Sequence, residues 1–148
     1  WSKKKKVFLR NPLSTRPWQH VLEAVGGYLL FAVKLNSNSK LHGEAFNFGP
    51  SNKDSKNVLN VVKEMKKSWK VVSWTIKKSR KAKYESKLLK LNSNKAKLKL
   101  NWKTNLNFKE MIKMTTNWYK NFYEKKENNF EFSIKQILSY QKINKNKK

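Results

Sequence analysis

Residues 10–23 constrain the fold more than any other part of the chain, because a proline-rich loop leads there directly into an apolar run. The loop holds Arg10, Pro12, Arg16 and Pro17, which are two of the three arginines and two of the three prolines in the sequence. Pro17 disfavours the helical region of backbone space for the residue before it, so Arg16 has to lie in extended backbone. The sequence therefore predicts an extended loop that delivers its side chains just before the next helix begins.

Arg16 is the candidate anion-binding residue of this loop. The chain uses lysine for nearly all of its other positive charges, so an arginine fixed beside a proline needs a reason. A guanidinium group is a planar fork of donors that fits a phosphate with two hydrogen bonds, whereas a lysine ammonium group is a flexible point charge. The alternative, which the residues alone leave open, is that Arg10 and Arg16 are solvated loop charges.

The run from residue 20 to residue 35 is apolar nearly all round a helix, which predicts a helix buried on every side. It is too short to cross a bilayer, which takes about 20 residues. Gly26 and Gly27 interrupt the run and predict a close approach by another backbone. A loop anchored on a buried helix is rigid, and this rigidity favours binding roles for its side chains.

The rest of the sequence predicts several further helices and a few short strands. In chain order we predict a strand at 7–9, a polar turn at 36–42, a short buried strand at 45–48, an amphipathic helix at 58–69, a strand at 72–76, a loop at 77–87, a long amphipathic helix at 108–122, a last helix at 133–140 and a disordered polar tail at 142–148. Asn107 and Glu110 predict a capping box at the start of the long helix. The aromatic stripe along that helix, from Phe108 to Phe122, is expected to be core.

The net charge of +26 and the pI near 10.3 indicate a different class of protein, a lysine-rich nucleic-acid-binding protein. Phosphate neutralisation dominates the affinity of such proteins. The lysines, however, are spread along the whole chain, and arginine, which is preferred for phosphate and base-edge contacts, is nearly missing. Joint enrichment in lysine and asparagine is typical of proteins from AT-rich genomes, in which codon drift changes surface positions that tolerate substitution. The distribution of charge therefore argues against nucleic-acid binding, despite its magnitude.

Motifs for several common catalytic and metal sites are missing from the sequence. The two histidines are too few for a histidine-based metal cluster, and the chain has no cysteine. Neither the HExxH nor the CxxC motif occurs. The four glycines do not have the spacing of a P-loop, and there is no GxSxG nucleophile elbow. The lack of cysteine fits a reducing compartment. The N-terminal lysines are not followed by an apolar h-region with a small-residue cleavage site, so we expect no signal peptide.

The most specific motif is RPWQHVLE at 16–23, with RNP at 10–12 before it and GYLL at 27–30 after it. This block closely resembles the C-terminal half of the CDP-glucose 4,6-dehydratases, a group within the extended short-chain dehydrogenase/reductase family. Further similarities follow in the family's order: FNFGPS at 46–51, YE at 84–85, LKLN at 89–92, KA at 95–96, LNW at 100–102, WYK at 118–120 and SI at 133–134. The resemblance covers almost the whole chain, and RPWQHVLE separates these enzymes from the epimerases and other dehydratases of the family.

The resemblance implies an α/β fold, namely the C-terminal substrate-binding portion of an extended short-chain dehydrogenase of Rossmann type, mostly helical with a few short strands. It implies a lyase that converts the nucleotide sugar CDP-glucose to CDP-4-keto-6-deoxyglucose, with NAD bound by an N-terminal half that is absent here. The parent enzyme is expected to be a cytoplasmic homodimer with neither a membrane nor a nucleic acid as partner. Another nucleotide-sugar epimerase or dehydratase is the alternative within this class.

The resemblance also implies which side chains bind the substrate: Arg16, Trp18, Gln19, His20, Asn52 and Glu85. Arg16 matches the arginine that grips the pyrophosphate of the nucleotide sugar. Trp18, Gln19 and His20 would form the adjoining wall, whereas Asn52 and Glu85 would lie on the nucleotide side. For His20 the alternative of a buried, hydrogen-bonded histidine at the helix start stays open.

No catalytic or cofactor-binding residue is expected within this chain. The family acts with a Tyr-x-x-x-Lys pair, and none of the five tyrosines has a lysine four residues later. The sequence starts at Trp1 without an initiator methionine, which favours a fragment. The chain alone is therefore expected to be inactive and to contribute substrate recognition.

Local pattern and resemblance disagree at residues 94–102. Apolar residues alternate at positions 96, 98, 100 and 102, as they would in a strand. The resemblance implies instead a short helix that begins at residue 92 or 93. We follow the resemblance and predict a helix.

Overall fold

The computed structural model describes residues 1–51, 55–76 and 88–146, and most of the regular structure in these ranges is helical. The elements in chain order are β1 (Val7–Leu9), β2 (Thr15–Arg16), α1 (Val21–Ser37), a 3-10 turn (Ser39–Leu41), β3 (Lys56–Asn57), α2 (Val58–Ser68), β4 (Trp74–Ile76), α3 (Asn94–Leu100), α4 (Phe108–Glu124) and α5 (Asn129–Asn146). This content agrees with the prediction of a mostly helical α/β chain with a few short strands.

The strands of the described ranges pair in two small sheets. β1 and β4 run parallel, with Val7 opposite Trp74. β2 and β3 run antiparallel, with Arg16 opposite Lys56, and an isolated bridge joins Thr15 to Leu88. The second sheet therefore fixes the arginine-containing loop against the segment that leads into α2.

Two hydrophobic clusters hold the helices together. The first lies between α1 and α3 and consists of Leu41, Phe48, Ala96, Leu100 and Trp102. The second joins α2 to α4 through Val61, Met111 and Ile112, and Trp18 packs against it. The loop that precedes α1 is thus attached to the second cluster, while α1 itself packs on the first.

α1 is not buried on every side, so this prediction is wrong. Val21, Tyr28, Leu29 and Val33 are between 61% and 69% exposed. The first cluster packs against Leu30, Phe31 and Leu35 of the helix, and Tyr28 meets it through an edge-on ring contact with Phe48 at a centroid distance of 5.5 Å. Apolar periodicity reports which surface a helix is able to bury, not which neighbours are present.

The glycine pair of α1 permits a close contact, but the neighbour is a side chain and not a backbone. A Cβ atom built on Gly27 would lie 2.5 Å from Cδ1 of Phe48. At Gly26 the nearest atom is the hydroxyl oxygen of Tyr140 at 3.7 Å, an ordinary contact distance. Only Gly27 is therefore required by packing.

Residues 45–48 form no strand, contrary to the prediction. In the described ranges no strand lies beside them to complete a ladder, and other contacts hold the segment in place. The ring of Phe48 packs edge-on against Trp102 with centroids 5.2 Å apart. Its carbonyl oxygen accepts a hydrogen bond from Gln19 Nε2 at 2.8 Å. The segment is thus anchored through a buried ring and one carbonyl group.

The predicted helices around residues 94–124 are confirmed. α3 occupies the segment where the local pattern alternates, and Asn101 ends it in the left-handed conformation with φ of 55°. At the start of α4, the Asn107 side chain accepts from the backbone N–H of Glu110 at 3.0 Å. The Glu110 carboxylate in turn accepts from the backbone N–H of Asn107 at 2.7 Å, which completes the capping box.

α4 and α5 pack side by side as a helical pair. Trp118 Nε1 donates to Ser133 Oγ at 2.9 Å, and Gln136 Nε2 donates to the carbonyl oxygen of Met114 at 2.8 Å. α5 continues to Asn146, so residues 142–146 are helical and the prediction of a disordered tail is wrong for them. Residues 147–148 lie outside the described ranges.

The aromatic stripe of α4 is only partly core. Tyr119 and Phe122 are 46% and 45% exposed, so the prediction of burial is wrong for these two residues. Phe122 stacks on Trp118 with the ring centroids 5.5 Å apart. The rings therefore cover one another along the helix surface.

Candidate functional site

Arg16 lies in a segment that is fixed on both sides. β3 pairs with it on one side, and on the other the backbone N–H of Leu89 donates to the carbonyl oxygen of Thr15 at 3.3 Å. The guanidinium Nη1 of Arg16 donates to that same carbonyl oxygen at 2.8 Å. Arg16 is half-buried, whereas Arg10 is exposed. The interpretation as a solvated loop charge therefore does not suit Arg16.

Trp18 locks the loop onto its neighbours. Its Nε1 donates to the carbonyl oxygen of Lys56 at 2.8 Å. Its backbone N–H donates to the carbonyl oxygen of Arg16 at 3.0 Å, across Pro17, and its ring packs against the cluster between α2 and α4. These contacts give Trp18 a structural role, and its predicted contact with substrate stays a prediction.

Gln19 joins the loop to the first hydrophobic cluster. Its Nε2 donates to the carbonyl oxygen of Phe48, and its Oε1 is buried without a hydrogen-bond partner among the described residues. Gln19 and His20 both line a cavity of about 310 Å³ enclosed by the start of α1 and by α4 and α5. Arg16 and Trp18 do not line this cavity. Trp18, Gln19 and His20 together line a second, small cavity of about 20 Å³, and Arg16 lines neither of the two.

His20 caps the N-terminus of α1. Its Nδ1 accepts from the backbone N–H of Leu22 at 3.3 Å, and the side chain is buried. Burial lowers the pKa of His20 below its ordinary value. A neutral ring that accepts at Nδ1 suits the buried helix-start alternative. Contact of His20 with a substrate stays a prediction.

The lowered pKa of His20 gives the stability of the chain a pH dependence with a defined sign. The unfolded chain takes up the proton at a higher pH than the folded chain, so stability falls as the pH drops below about 6.5. We expect the urea midpoint to decrease between about pH 7.5 and about pH 5.5. His20→Asn keeps a capping acceptor and should abolish most of this decrease. His42→Asn, at the exposed histidine, is the control that should retain it. Equal decreases in both variants would contradict the assignment.

Asn52 and Glu85 lie outside the described residues. Their predicted roles on the nucleotide side stay predictions. The loop predicted at 77–87 also falls outside the described ranges.

A buried polar network beside the loop was missed by the sequence analysis. Glu23 is 1% exposed, and its Oε1 accepts from the backbone N–H groups of Asn105 and Leu106 at 2.8 and 2.7 Å. The Tyr140 hydroxyl donates to Glu23 Oε2 at 3.0 Å and accepts from Asn105 Nδ2 at 3.0 Å. Burial raises the pKa of Tyr140 to about 12. The network ties α1 to the segment before α4 and to α5.

A signal for this network was present in the sequence. Glu23 is the single acidic residue in the apolar run from 20 to 35. A carboxyl group on a buried helix has to find hydrogen-bond partners, because burying it without them is costly. Those partners lie about 80 to 120 positions further along the chain, and no local pattern identifies them.

Residues 1–51, 55–76 and 88–146 hold neither a metal-binding cluster nor a membrane-spanning helix. Within those ranges no three His, Cys, Asp or Glu side chains lie close enough together to hold a metal ion. No helix there combines the length and hydropathy needed to cross a bilayer.

The described helices and short strands are compatible with part of a Rossmann-like domain. No family model matches the sequence. The CDP-glucose 4,6-dehydratase of Salmonella typhimurium is 36% identical over 115 residues, which make up 77% of this chain and 32% of that enzyme. The chain is therefore a distant relative of that dehydratase and spans about a third of its length.

Proposed function

We propose that this chain is the C-terminal, substrate-binding part of a nucleotide-sugar 4,6-dehydratase that converts CDP-glucose to CDP-4-keto-6-deoxyglucose. The observation that carries the proposal is the placement of Arg16 in a loop whose backbone is fixed by β3, by Leu89 and by Trp18. The relationship to the Salmonella enzyme supports the class of substrate. Arg16 would bind the pyrophosphate of the nucleotide sugar.

Rigidity of the loop makes this role physically reasonable. Binding a phosphate with a guanidinium fork costs less when the fork is already oriented, because less conformational freedom is lost. The hydrogen bond from Arg16 Nη1 to the Thr15 carbonyl supplies such an orientation. A guanidinium group has five N–H donors, and the hydrogen bond to the Thr15 carbonyl oxygen uses one of them.

The residues of this chain do not fit NAD. Its four glycines are Gly26, Gly27, Gly43 and Gly49, and none of them forms the G-x-G-x-x-G turn that receives a dinucleotide pyrophosphate. In our proposal the remainder of a parent enzyme holds the cofactor and the catalytic residues. The contribution of this chain is to bind and orient the nucleotide sugar.

Replacing Arg16 by alanine should weaken CDP-glucose binding about 10- to 100-fold, because one charge-assisted contact is worth roughly 1.5–3 kcal/mol. Arg16→Lys keeps the charge but not the fork and should recover only part of the affinity. Isothermal titration at constant ionic strength measures the loss. Arg10→Ala removes the exposed arginine of the same loop and should change Kd by less than about twofold. Equal losses in the alanine variants would contradict the role of Arg16.

The net charge favours a second candidate of a different class, a nucleic-acid-binding protein. Several acidic side chains of the described ranges are already paired with lysines: Glu44 with Lys95 and Lys99, Glu64 with Lys67, Glu124 with Lys126, and Glu127 with Lys135. Hydrogen bonds from Lys95 and then Lys99 lower the pKa of Glu44 to about 2. RNA binding with a steep salt dependence, without saturable binding of CDP-glucose, would favour this candidate over the dehydratase.

A further inference from the structure

The segment 45–48 has the side-chain alternation of a β-strand, although it pairs with no strand of the described ranges. Phe48 is buried and Phe46 is half-buried, whereas Ala45 and Asn47 are exposed. Such alternation is typical of a strand with one covered face. Within the described part of the chain, the backbone groups of residues 45–47 have no hydrogen-bond partner. The segment is therefore a strand-like edge that lacks its ladder.

Helix α1 covers this segment and runs in the opposite direction. Phe31 packs on Phe46 with the ring centroids 4.8 Å apart, and Gly27 makes room for the ring of Phe48. Four residues of a helix rise about 6 Å, and two residues of a strand rise about 6.6 Å, so the two spacings match. A helix followed by an antiparallel strand beneath it is the second half of a βαβ unit, in which the strands belong to a parallel sheet.

The strand that would complete this unit is not supplied by the neighbouring elements. β2 precedes α1 in the chain, but it pairs with β3 and not with the segment 45–48. Buried backbone N–H and C=O groups of a strand need partners, which a neighbouring strand normally provides. A parallel strand beside residues 45–48 would therefore come from another part of a parent protein.

The outer side of α1 is a second uncovered surface. Val21, Val25, Leu29 and Val33 follow one another at spacings of four residues, and they are 65%, 40%, 64% and 69% exposed. At about 100° per residue, this row is turned away from the side of the helix that covers residues 45–48. A helix that is apolar on both sides is typical of one that lies between two layers. The row therefore also indicates a neighbour outside the described ranges.

A second copy of this chain does not suit these surfaces. Each copy carries a net charge of +26, so two copies repel each other. The Salmonella dehydratase, in contrast, is about three times as long as the stretch that matches this chain. In our proposed function the remainder of such a parent holds NAD, and dinucleotide-binding folds are open parallel sheets covered by helices. A sheet of that kind has an edge at which a further strand can pair.

We propose that the segment 45–48 and the outer side of α1 form a docking surface for the cofactor-binding part of the parent enzyme. The edge strand of its parallel sheet pairs with residues 45–48, and another apolar element of the same part covers the row on α1. The identity of this partner rests on the proposed function, whereas the need for a neighbouring strand follows from the segment itself.

The test is hydrogen exchange at the backbone amides of Phe46 and Asn47, measured by NMR. It compares the isolated chain with a chimera in which this chain replaces the matching residues of the Salmonella dehydratase. In the isolated chain both amides should exchange within about tenfold of the rate in an unstructured peptide. In the chimera at least one of them should exchange about 100-fold more slowly, because alternate N–H groups of a strand point to the same edge.

A pair of matched substitutions tests the contact with α1. Leu29→Lys places a charge in the apolar row and should reduce the protection in the chimera about tenfold or more, because the charge would be buried by docking. Leu98→Lys is the control, since Leu98 lies on α3 and is 83% exposed. Thermal unfolding of the isolated chain should be nearly unchanged in both variants, because both side chains are exposed there.

The outcomes separate this docking surface from the proposed function. Equal exchange in the isolated chain and the chimera overturns the docking surface, and so does a chimera that fails to fold or an equal effect of the two lysine variants. Protection that grows with the concentration of the isolated chain identifies a second copy as the occupant and also overturns it. Protected amides in a chimera that does not bind CDP-glucose support the docking surface and contradict the proposed function. Binding of CDP-glucose without protection contradicts the docking surface alone.

Discussion

Replacing Glu23 by alanine is expected to lower the free energy of unfolding by about 4 kcal/mol, because one buried and one partly buried backbone N–H group and a buried hydroxyl lose their acceptor together. Each such group costs roughly 1–3 kcal/mol when left without a partner, and the three costs are not fully additive. The donors are the N–H groups of Asn105 and Leu106 and the hydroxyl of Tyr140. A loss of this size is a large part of the roughly 5–15 kcal/mol that stabilises a typical domain.

Urea unfolding followed by tryptophan fluorescence measures this loss. Glu23→Gln keeps the shape of the side chain and one acceptor oxygen, so it should cost less, about 1–2 kcal/mol. Glu131→Gln removes a charge from an exposed position in the first turn of α5 and should cost less than about 1 kcal/mol. If Glu23→Ala were no more destabilising than Glu131→Gln, Glu23 could not be the acceptor that joins these segments.

Replacing Phe48 by alanine is the second change with a large expected effect, a loss of about 4 kcal/mol. The ring of Phe48 is buried and makes edge-on contacts with Trp102 and with Tyr28, at centroid distances of 5.2 and 5.5 Å. Its removal would leave a cavity between α1 and α3, since helices on both sides are fixed by other contacts. Thermal and urea unfolding measure the loss, with Phe130→Ala as control because that phenylalanine is 73% exposed.

The contact between Gly27 and Phe48 can be tested by substituting the two residues singly and together. In the unmodified chain Gly27→Ala should be destabilising by about 1–3 kcal/mol, because the new Cβ overlaps the Phe48 ring. In a Phe48→Ala background the same substitution should be neutral or stabilising, because the ring is gone and alanine favours a helix over glycine by about 1 kcal/mol. Gly26→Ala has room in both backgrounds and should stabilise both. Equal effects of Gly27→Ala in the two backgrounds would contradict the contact.

Local chemistry made several elements predictable from the sequence. The proline after Arg16 forces extended backbone, and Arg16 is indeed in a strand. Asn107 and Glu110 have the spacing of a capping box and form one. The apolar spacing of residues 58–69 identified α2. In each case the residues that determine the element are close together in the sequence, so the local sequence is enough to predict it.

The errors share a different cause, which is dependence on distant neighbours. The periodicity of residues 20–35 correctly predicted a helix, but burial of its outer side needs neighbours that the described ranges do not contain. Residues 45–48 have strand-like composition, yet a strand forms only beside another strand. Tyr119 and Phe122 were expected in the core because their spacing is helical, and spacing does not reveal how wide the covered face is.

The residues of the candidate site also differ in whether the local sequence identifies them. Arg16 stood out because an arginine beside a proline is a local anomaly in a lysine-rich chain. Lys56, whose carbonyl oxygen accepts from Trp18, did not stand out, because it is one of many lysines and only the register of β2 with β3 places it opposite Arg16. Register depends on long-range pairing, which a single sequence does not reveal. His20 lay between these cases, and its role as a helix cap emerged only from the hydrogen bond at Nδ1.

The hydrogen bond between Glu23 and Tyr140 joins residues that are 117 positions apart, and this separation has a consequence for how the chain folds. Contacts between distant residues form slowly, because closing a long loop costs entropy before the contact contributes any stability. During synthesis, Glu23 leaves the ribosome long before Tyr140 exists, at roughly 5–20 residues per second. For several seconds the nascent chain must therefore keep this carboxyl group hydrated, and α1 can settle into its final place only when the last helix has been made.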